Sequence, residues 1–299
     1  MSMALPTGSA EQVSIHPGTT MGIVRLTVSD LERSRTFYER AIGLRSHELD
    51  DGTVSLGPSD QHSLIELRAD ASAPALDRRR TGLYHLAILV PSRLELALAL
   101  ARLGQARWPL DGASDHLVSE ALYLSDPDGN GIEIYRDRPR EQWPRSGDQL
   151  EMATLPLDLE DLLRELGAAD GFQEQAPPGT TIGHVHLQVS DLADAEAFYS
   201  GVLGFDVVVR GYPGALFVSA GGYHHHLGLN TWHSAGAGAA EPPAIGLRSY
   251  EVLLPDDSEL ARVLERVESA GVAREPAHGG MLVRDPSGNG VVLRSAGVA

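Results

Sequence analysis

The feature that most constrains this chain is that it contains the same sequence pattern twice. The segment VRLTVSDLERSRTFYERAIGL, which begins at Val24, matches VHLQVSDLADAEAFYSGVLGF, which begins at Val185, at an offset of 161 positions. The segment DPDGNGIEI recurs as DPSGNGVVL at an offset of 159 positions. Such self-similarity indicates a duplicated structural unit. We predict that one copy spans residues 20–138 and the other spans residues 181–297.

Each copy divides again into two smaller modules. VRLTV alternates like a strand, Ser29-Asp30 then offers a helix N-cap, and Gly43 offers a helix stop. The apolar run LYHLAILV is a second opening strand, and Ser92 can cap the helix that follows it. One such module cannot bury its sheet face alone, so modules must pair. We predict an α+β fold of four βαβββ modules, whose opening strands lie near residues 23, 85, 184 and 250.

The segments outside the two copies have a different character. Residues 1–19 are predicted to be a flexible leader. Residues 139–180 are predicted to be a linker, because PRSGDQ and APPGTT are typical of loops and LDLEDLLREL is typical of a short amphipathic helix.

Charge and composition exclude several classes of function. The net charge of −17 repels nucleic acids and anionic lipid surfaces. The chain has no cysteine, so a bound metal must be held by His, Asp or Glu. Neither a signal-peptide pattern nor an apolar stretch of membrane-spanning length is evident. We therefore expect a cytoplasmic protein with neither a nucleic-acid nor a membrane partner.

The two repeats, the SDL…FY…LGF pattern and the DPDGN turn resemble the vicinal oxygen chelate superfamily. This superfamily includes glyoxalases, fosfomycin and bleomycin resistance proteins, and extradiol ring-cleavage dioxygenases. The resemblance covers both repeats, and it implies two tandem domains whose modules form cupped half-barrels. One fold of this kind supports many chemistries, so the function has to be argued from the site.

The resemblance also implies where metal ligands lie, since this family takes them from the first and last strands of a module. The first-strand positions are Ile23, His85, His184 and Ser249, and the last-strand positions are Glu66, Glu133, Gly228 and Val292. Modules two and three thus offer His85, Glu133 and His184. Two histidines and one carboxylate suit non-haem Fe(II), with Mn(II) as the alternative. They converge in one cup if module two packs against module three, which is the pairing that we predict.

Other interpretations of these residues stay open at this stage. His85 could be a core histidine, and Glu133 could point outward, as strand alternation allows. His186 lies two residues beyond His184 on the same strand face and competes with it as the ligand. Glu66 fills a ligand position in the cup of modules one and four, whose other ligand positions hold no metal-binding side chain. It is interpreted as solvated or structural.

A second motif sharpens the resemblance to the extradiol dioxygenases. The motif of these enzymes begins with a His and, after a short gap, an apolar residue followed by Tyr. It ends with an acid-Pro-x-Gly turn and a Glu. This chain has the same order in His116, Leu122-Tyr123, the turn DPDG and Glu133. Ser114 departs from the residues usual at its position. The resemblance implies that His116 and Tyr123 contact a bound dihydroxylated ring and its oxygens.

The run HHH at residues 224–226 supplies a further candidate. In a regular strand His224 and His226 would share one face and His225 would face away. His226 lies near the Gly228 ligand position, and it is the predicted acid/base residue.

Together these expectations favour an extradiol-type dioxygenase that opens a small catechol- or hydroquinone-like aromatic diol with O2. One alternative is a metal-dependent isomerase or lyase of glyoxalase type, and the other is a small-ligand-binding resistance module of the same fold. A homodimer is the default expectation for the assembly.

Overall fold

A computed structural model of the chain describes residues 14–147, 149–168, 171–239, 241 and 243–297. The strands of this part form two large curled sheets, each built from two modules, with helices packed on the sheets. The predicted α+β fold of two tandem domains with cupped half-barrels is confirmed.

The elements follow the chain order of the modules. Module one contains β1 (Thr20–Val28), α1 (Leu31–Phe37), which continues as a π-helix (Tyr38–Ile42), β2 (Arg45–Glu48), β3 (Val54–Gly57) and β4 (Ile65–Ala69). Module two contains β5 (Gly82–Leu89), α2 (Arg93–Ala106), β6 (Gly112–Asp115), β7 (Ser119–Ser125) and β8 (Gly131–Asp137). The segment between the repeats contains a 3₁₀-helix (Arg140–Gln142), β9 (Arg145–Ser146), β10 (Gln149–Leu150), β11 (Leu155–Pro156) and α3 (Leu159–Arg164), which continues as a 3₁₀-helix (Glu165–Ala168).

The second repeat has the same order. Module three contains β12 (Thr181–Gln188), α4 (Leu192–Glu196), which continues as a π-helix (Ala197–Val202), β13 (Asp206–Val209), β14 (Ala215–Ser219) and β15 (Leu227–Asn230). Module four contains β16 (Gly246–Leu254), α5 (Asp257–Ser269), β17 (Arg274–Ala277), β18 (Gly280–Arg284) and β19 (Gly290–Ser295).

Local sequence signals account for the helix ends. The side chain of Asp30 accepts a hydrogen bond from the backbone N–H of Arg33 at the start of α1, and Ser92 does the same for Glu95 at the start of α2. Gly43 ends the first π-helix with φ of 88°, a left-handed conformation that glycine adopts without steric cost.

The modules pair across the two repeats. The 1–4 sheet, made by modules one and four, has the order β17-β18-β19-β16-β1-β4-β3-β2. The 2–3 sheet, made by modules two and three together with β11, has the order β11-β6-β7-β8-β5-β12-β15-β14-β13. At its centre β5 and β12 run antiparallel, with His85 opposite His186 and Ala87 opposite His184. The predicted packing of module two against module three is therefore confirmed.

The repeated sequence motifs join the two sheets within each repeat. The hydroxyl of Tyr38, from module one, donates to the carboxylate of Asp126 in the DPDGN turn of module two. Tyr199 and Asp285 make the same contact between modules three and four. Both turns accept a hydrogen bond from a tyrosine of the neighbouring module, but only the first turn is followed by a candidate metal ligand, Glu133. The turn itself is therefore a structural element.

The segments outside the repeats are also packed where they are described. Ile15 is buried, and its backbone N–H donates to the carbonyl of Gly204, so the end of the expected flexible leader lies on the second repeat. Residues 1–13 lie outside the described residues. The short helix expected between the repeats is present as α3, and β11 extends the 2–3 sheet by pairing with β6. No helix in the described ranges is long and apolar enough to cross a membrane.

Candidate metal centre and its cavity

The centre of the 2–3 sheet brings three potential ligand atoms together. His85 Nε2 lies 3.0 Å from Glu133 Oε2, and His184 Nε2 lies 3.1 Å from the same oxygen. The two histidine nitrogens are 3.4 Å apart. Within the described part of the chain, these three buried side chains are the group of His and acidic residues whose donor atoms converge closely enough to hold one ion.

The spacing of these atoms fits a divalent metal. Two ligands about 2.1 Å from an ion and at right angles to each other lie about 3.0 Å apart, which is the edge of an octahedral face. The two edges that end on Glu133 match this length, and the edge between the histidines is slightly longer. A face of two imidazoles and one carboxylate is the donor set that non-haem Fe(II) enzymes use.

The protonation states also fit a cation. Burial alone would raise the pKa of Glu133, but the neighbouring His184 and His85 outweigh it, and the pKa of this carboxyl lies well below its usual value. Burial lowers the pKa of His184 to about 4, against the opposing effect of Glu133. At neutral pH the site therefore holds a carboxylate anion beside a neutral imidazole, which are the forms that bind metals.

A cavity of about 300 Å³ opens onto two of these three side chains. His85 and Glu133 form part of its wall. Much of the remaining wall is aromatic or apolar and includes Tyr84, Met152, Tyr212, Phe217 and Trp232. Such a cavity can enclose one aromatic ring next to a metal.

His116 and Tyr123 line the same cavity and form a pair. The nitrogen Nδ1 of His116 lies 2.7 Å from the carbonyl oxygen of Ala153, so we assign the Nδ1 proton to that bond. The other nitrogen, Nε2, is then free to accept from the Tyr123 hydroxyl at 2.6 Å. Tyr123 is also the cross-strand neighbour of Glu133. Burial, together with the charge of Glu133, raises the pKa of Tyr123, so this phenol stays neutral and can donate a hydrogen bond.

The contribution of the segment between the repeats was not foreseen. Met152, Ala153 and Thr154 lie along the cavity wall, and the Thr154 hydroxyl lies 3.4 Å from the Tyr212 hydroxyl of module three. Part of this contribution comes from the backbone carbonyl of Ala153, which no side-chain pattern in the sequence reveals.

The structure does not place His226 where strand alternation puts it. Residues 223–226 are irregular, because β15 begins only at Leu227. The Nδ1 of His226 accepts from the backbone N–H of Ala220, and the side chain borders a different cavity of about 620 Å³. His225 lines the metal-site cavity instead, with its ring centroid 4.1 Å from that of His184. Burial lowers the pKa of His225 well below its usual value, so its imidazole is neutral.

The ring of His186 packs against that of His85, but His186 is not part of the cluster of donor atoms formed by His85, Glu133 and His184. Its ring packs over Gly228, where an added Cβ would lie 2.8 Å from the His186 Cγ. His186 Nε2 is buried without a hydrogen-bond partner among the described residues. Since glycine leaves the space that this ring fills, the last-strand position at residue 228 supplies no fourth ligand.

In the 1–4 sheet, an ion-pair cluster lies where the 2–3 sheet has the candidate metal centre. Arg25 donates to Glu66 at 2.7 Å and to Glu251 at 2.7 Å, and Arg25 and Glu251 are buried. The interpretation of Glu66 as a structural residue is therefore supported, because one guanidinium pairs with both carboxylates of this cup.

Comparisons with known proteins agree with this geometry. The family model described as the Glyoxalase/Bleomycin resistance protein/Dioxygenase superfamily matches residues 20–134 and 181–293. A protein of Bacillus subtilis (strain 168) named catechol-2,3-dioxygenase is 48% identical over 277 residues, which cover 91% of this chain and 96% of that protein.

Two solved structures share the fold at low sequence identity. A crystal structure of a proposed dioxygenase from Bacillus subtilis subsp. subtilis str. 168 aligns with a TM-score of 0.63 at 14% identity, covering 96% of this chain and 87% of that chain. Glyoxalase I from Zea mays aligns with a TM-score of 0.55 at 16% identity, covering 92% of both chains.

The sequence match extends over both repeats and nearly the full length of the Bacillus relative. The chain therefore belongs to the Glyoxalase/Bleomycin resistance protein/Dioxygenase superfamily, and within it resembles the ring-cleaving enzymes of catechol 2,3-dioxygenase type.

Proposed function

We propose that this protein is an extradiol-type dioxygenase that opens a small aromatic diol with O2 at a non-haem metal centre. The observation that carries the proposal is that His85, Glu133 and His184 converge, and that the first two line a ring-sized cavity. His116 and Tyr123 line the same cavity. The 48% identity to a catechol-2,3-dioxygenase supports it independently.

His85, Glu133 and His184 would hold the metal, Fe(II) first and Mn(II) as the alternative. The bound ion would favour the deprotonated diol and bring the diol and O2 close together. An ion held by these side chains would be accessible from the cavity, because His85 and Glu133 form part of the cavity wall.

Tyr123 and His116 act on the oxygens of the ring. Tyr123 is a neutral donor, beside Glu133, and its hydroxyl can shift from His116 to an oxygen that gains negative charge. His116 is held by Ala153 with Nε2 facing the tyrosine, so it can take up or return a proton through that hydroxyl.

His225 replaces His226 in the proposed acid/base role. It lies at the cavity wall next to His184, and its neutral imidazole can accept the proton that the diol loses. His226 is engaged with the backbone at residue 220 and does not line this cavity.

The shape of the cavity favours a single aromatic ring. Its volume of about 300 Å³ is at the lower end of the range for ligand sites. Tyr84, Phe217 and Trp232 line it, and such aromatic walls suit a flat apolar body with two polar oxygens. The proposed substrate is therefore a catechol- or hydroquinone-like ring with small substituents.

The two alternatives are less well supported by the site. A glyoxalase-type centre has more carboxylate ligands, whereas residue 228 is a glycine covered by the His186 ring. A ligand-binding module without a metal gives no reason for a buried carboxylate between two histidines.

The test is anaerobic purification, loading with Fe(II), and exposure to a panel of diols with O2. We expect one metal per chain, O2 uptake, a coloured ring-opened product, and incorporation of both atoms of ¹⁸O2. Loading with Mn(II) in parallel identifies the preferred metal. An iron-loaded protein that cleaves no diol in the panel contradicts the proposal, and conversion of a glutathione hemithioacetal would favour the glyoxalase alternative.

The proposal includes a cytoplasmic homodimer. Light scattering on the purified holoprotein tests the dimer, and cell fractionation tests the location.

A further inference from the structure

We propose that Asp137 and His224 are positioning residues that hold His225 with its Nε2 unprotonated and available to the diol. The inference rests on the proposed function, since it assigns the groups that prepare His225 for its acid/base role. Neither residue lines the cavity around the metal site.

A row of short hydrogen bonds leads from the cavity wall into the protein. His225 Nδ1 lies 2.8 Å from His224 Nδ1, and His224 Nε2 lies 2.8 Å from Asp137 Oδ1. His224 is fully buried, whereas Asp137 is partly exposed. The row joins the last residue of β8 to the segment before β15, so it crosses from the first repeat to the second.

The direction of each hydrogen bond follows from Asp137. Its second oxygen, Oδ2, accepts from the hydroxyl of Tyr223 at 2.9 Å, so both carboxylate oxygens act as acceptors. An ionised carboxylate can only accept, and His224 must therefore carry its proton on Nε2. In a neutral imidazole one nitrogen donates and the other accepts, so a neutral His224 has Nδ1 as its acceptor, and the proton between the two histidines then belongs to His225 Nδ1. This places the lone pair of His225 on Nε2, the nitrogen that is left for the cavity.

Packing holds this arrangement in place. The ring of His224 lies between Tyr223 and Trp143, with centroid distances of 4.1 and 5.4 Å. The ring of His225 lies against His184 and Phe217, with centroid distances of 4.1 and 5.0 Å. A base that is already in the correct tautomer and orientation needs no reorganisation before it acts.

The other cup provides an internal control. Strand pairing aligns Leu227 with Ile65, since Val185 pairs with Leu227 and Val24 pairs with Ile65. By this alignment Ser63 stands at the place of His225. By the offset of the DPDGN and DPSGN turns, Ala296 stands at the place of Asp137. The same alignment puts His62 at the place of His224, so the cup without the three candidate ligands keeps the middle residue of the row and lacks the residues at both of its ends.

The first experiment compares Asp137→Asn with Asp111→Asn, an exposed aspartate outside the row, as iron-loaded holoproteins. We expect Asp137→Asn to lower kcat on catechol by about 10²–10⁴-fold, with KM and iron content nearly unchanged, as when the orienting carboxylate of a catalytic triad is lost. On 4-nitrocatechol, whose hydroxyl ionises readily, the loss should shrink at least tenfold, because this diol depends less on a base. An equal loss on both diols, or no loss, overturns the proposal.

A second pair of variants covers the case in which Asp137→Asn misfolds. His224→Gln keeps an oxygen that can accept from His225 Nδ1, whereas His224→Leu does not. We expect the Gln variant to retain at least ten times the kcat of the Leu variant at equal iron content. Equal rates overturn the proposal.

A measurement without turnover separates this inference from the proposed function. In ¹⁵N NMR of the metal-free protein, with signals assigned from the variants, we expect His224 protonated at Nε2 and His225 protonated at Nδ1. The opposite tautomers overturn the inference even if the enzyme cleaves diols. The expected tautomers in a protein that cleaves no diol would instead count against the proposed function.

Discussion

The Nε2 atoms of His85 and His184 lie 3.4 Å apart, although 99 positions separate the two residues in the chain. They meet because β5 of the first repeat and β12 of the second are antiparallel neighbours in one sheet. Glu133 comes from β8, the parallel neighbour of β5. The candidate metal site is thus built across the duplication, and neither repeat contains it alone.

The carboxylate between the two histidines is the first point to test. We expect Glu133→Gln to weaken metal binding by more than about 100-fold, since it removes the negative ligand, whereas losing an outer partner of a ligand costs about 10- to 100-fold. Metal analysis after desalting measures this. Glu66→Gln is the matched control, because Glu66 is the glutamate at a last-strand position of the other cup, where it pairs with Arg25. Equal metal loss in both variants would contradict the assignment.

The choice between His184 and His186 can be tested with one substitution at two positions. We expect His184→Asn to lose the metal and His186→Asn to retain it, because His184 Nε2 contacts Glu133 while His186 Nε2 has no partner among the described residues. Metal content and Fe(II) titration give the readout. Retention by the His184 variant with loss by the His186 variant would reverse the assignment.

The Tyr123 hydroxyl is expected to matter for chemistry more than for binding. Tyr123→Phe removes the donor that pairs with His116, and we expect kcat to fall by about 10²–10³-fold, the usual effect of losing one donor to a developing oxyanion. KM and iron content should change little. Steady-state kinetics measures the effect, with Tyr212→Phe, at another tyrosine that lines the cavity, as the comparison. A kcat close to the parent value would show that Tyr123 is only a packing residue.

The repeated motifs made the fold predictable from the sequence. The Tyr38–Asp126 and Tyr199–Asp285 contacts explain why the FY and DPxGN segments recur together, since each pair joins two modules. Glu133 could be singled out because Val292 stands at the same point of the other copy.

The remainder of the site depends on contacts that the sequence pattern does not encode. The sequence predicts that residues 223–226 form a strand that continues into β15, but their backbone is irregular. The assumption of strand alternation therefore pointed to His226, whereas His225 lines the cavity. The Ala153 carbonyl reaches His116 from a segment outside both repeats. The contact between His224 and Asp137 spans 87 positions and arises only when the modules pair.

Gly228 tests how the cavity wall is packed. A Cβ at this position would lie 2.8–3.0 Å from three atoms of the His186 ring, so Gly228→Ala forces that ring to move. We expect the free energy of unfolding to fall by about 1–3 kcal/mol, as for other overpacked core positions. Urea denaturation of the metal-free protein measures this. Gly112→Ala, at a strand glycine with open space around its Cβ, should be nearly neutral, and equal effects would contradict the packing argument.

Met152 tests whether the segment between the repeats sets the size of the substrate. Its side chain lines the cavity, and shortening it should admit a second ring or a larger substituent. We expect Met152→Ala to raise the ratio of kcat/KM for 3-phenylcatechol to that for catechol by about 10-fold, since a single methylene group in an apolar pocket is worth about 10- to 200-fold in discrimination. Competition kinetics with both diols measures the ratio. Met281→Ala, in β18 of the other sheet, is the control and should leave the ratio unchanged. If Met152→Ala leaves the ratio at the parent value, this segment does not limit ring size, and the limit lies with the aromatic residues of module three.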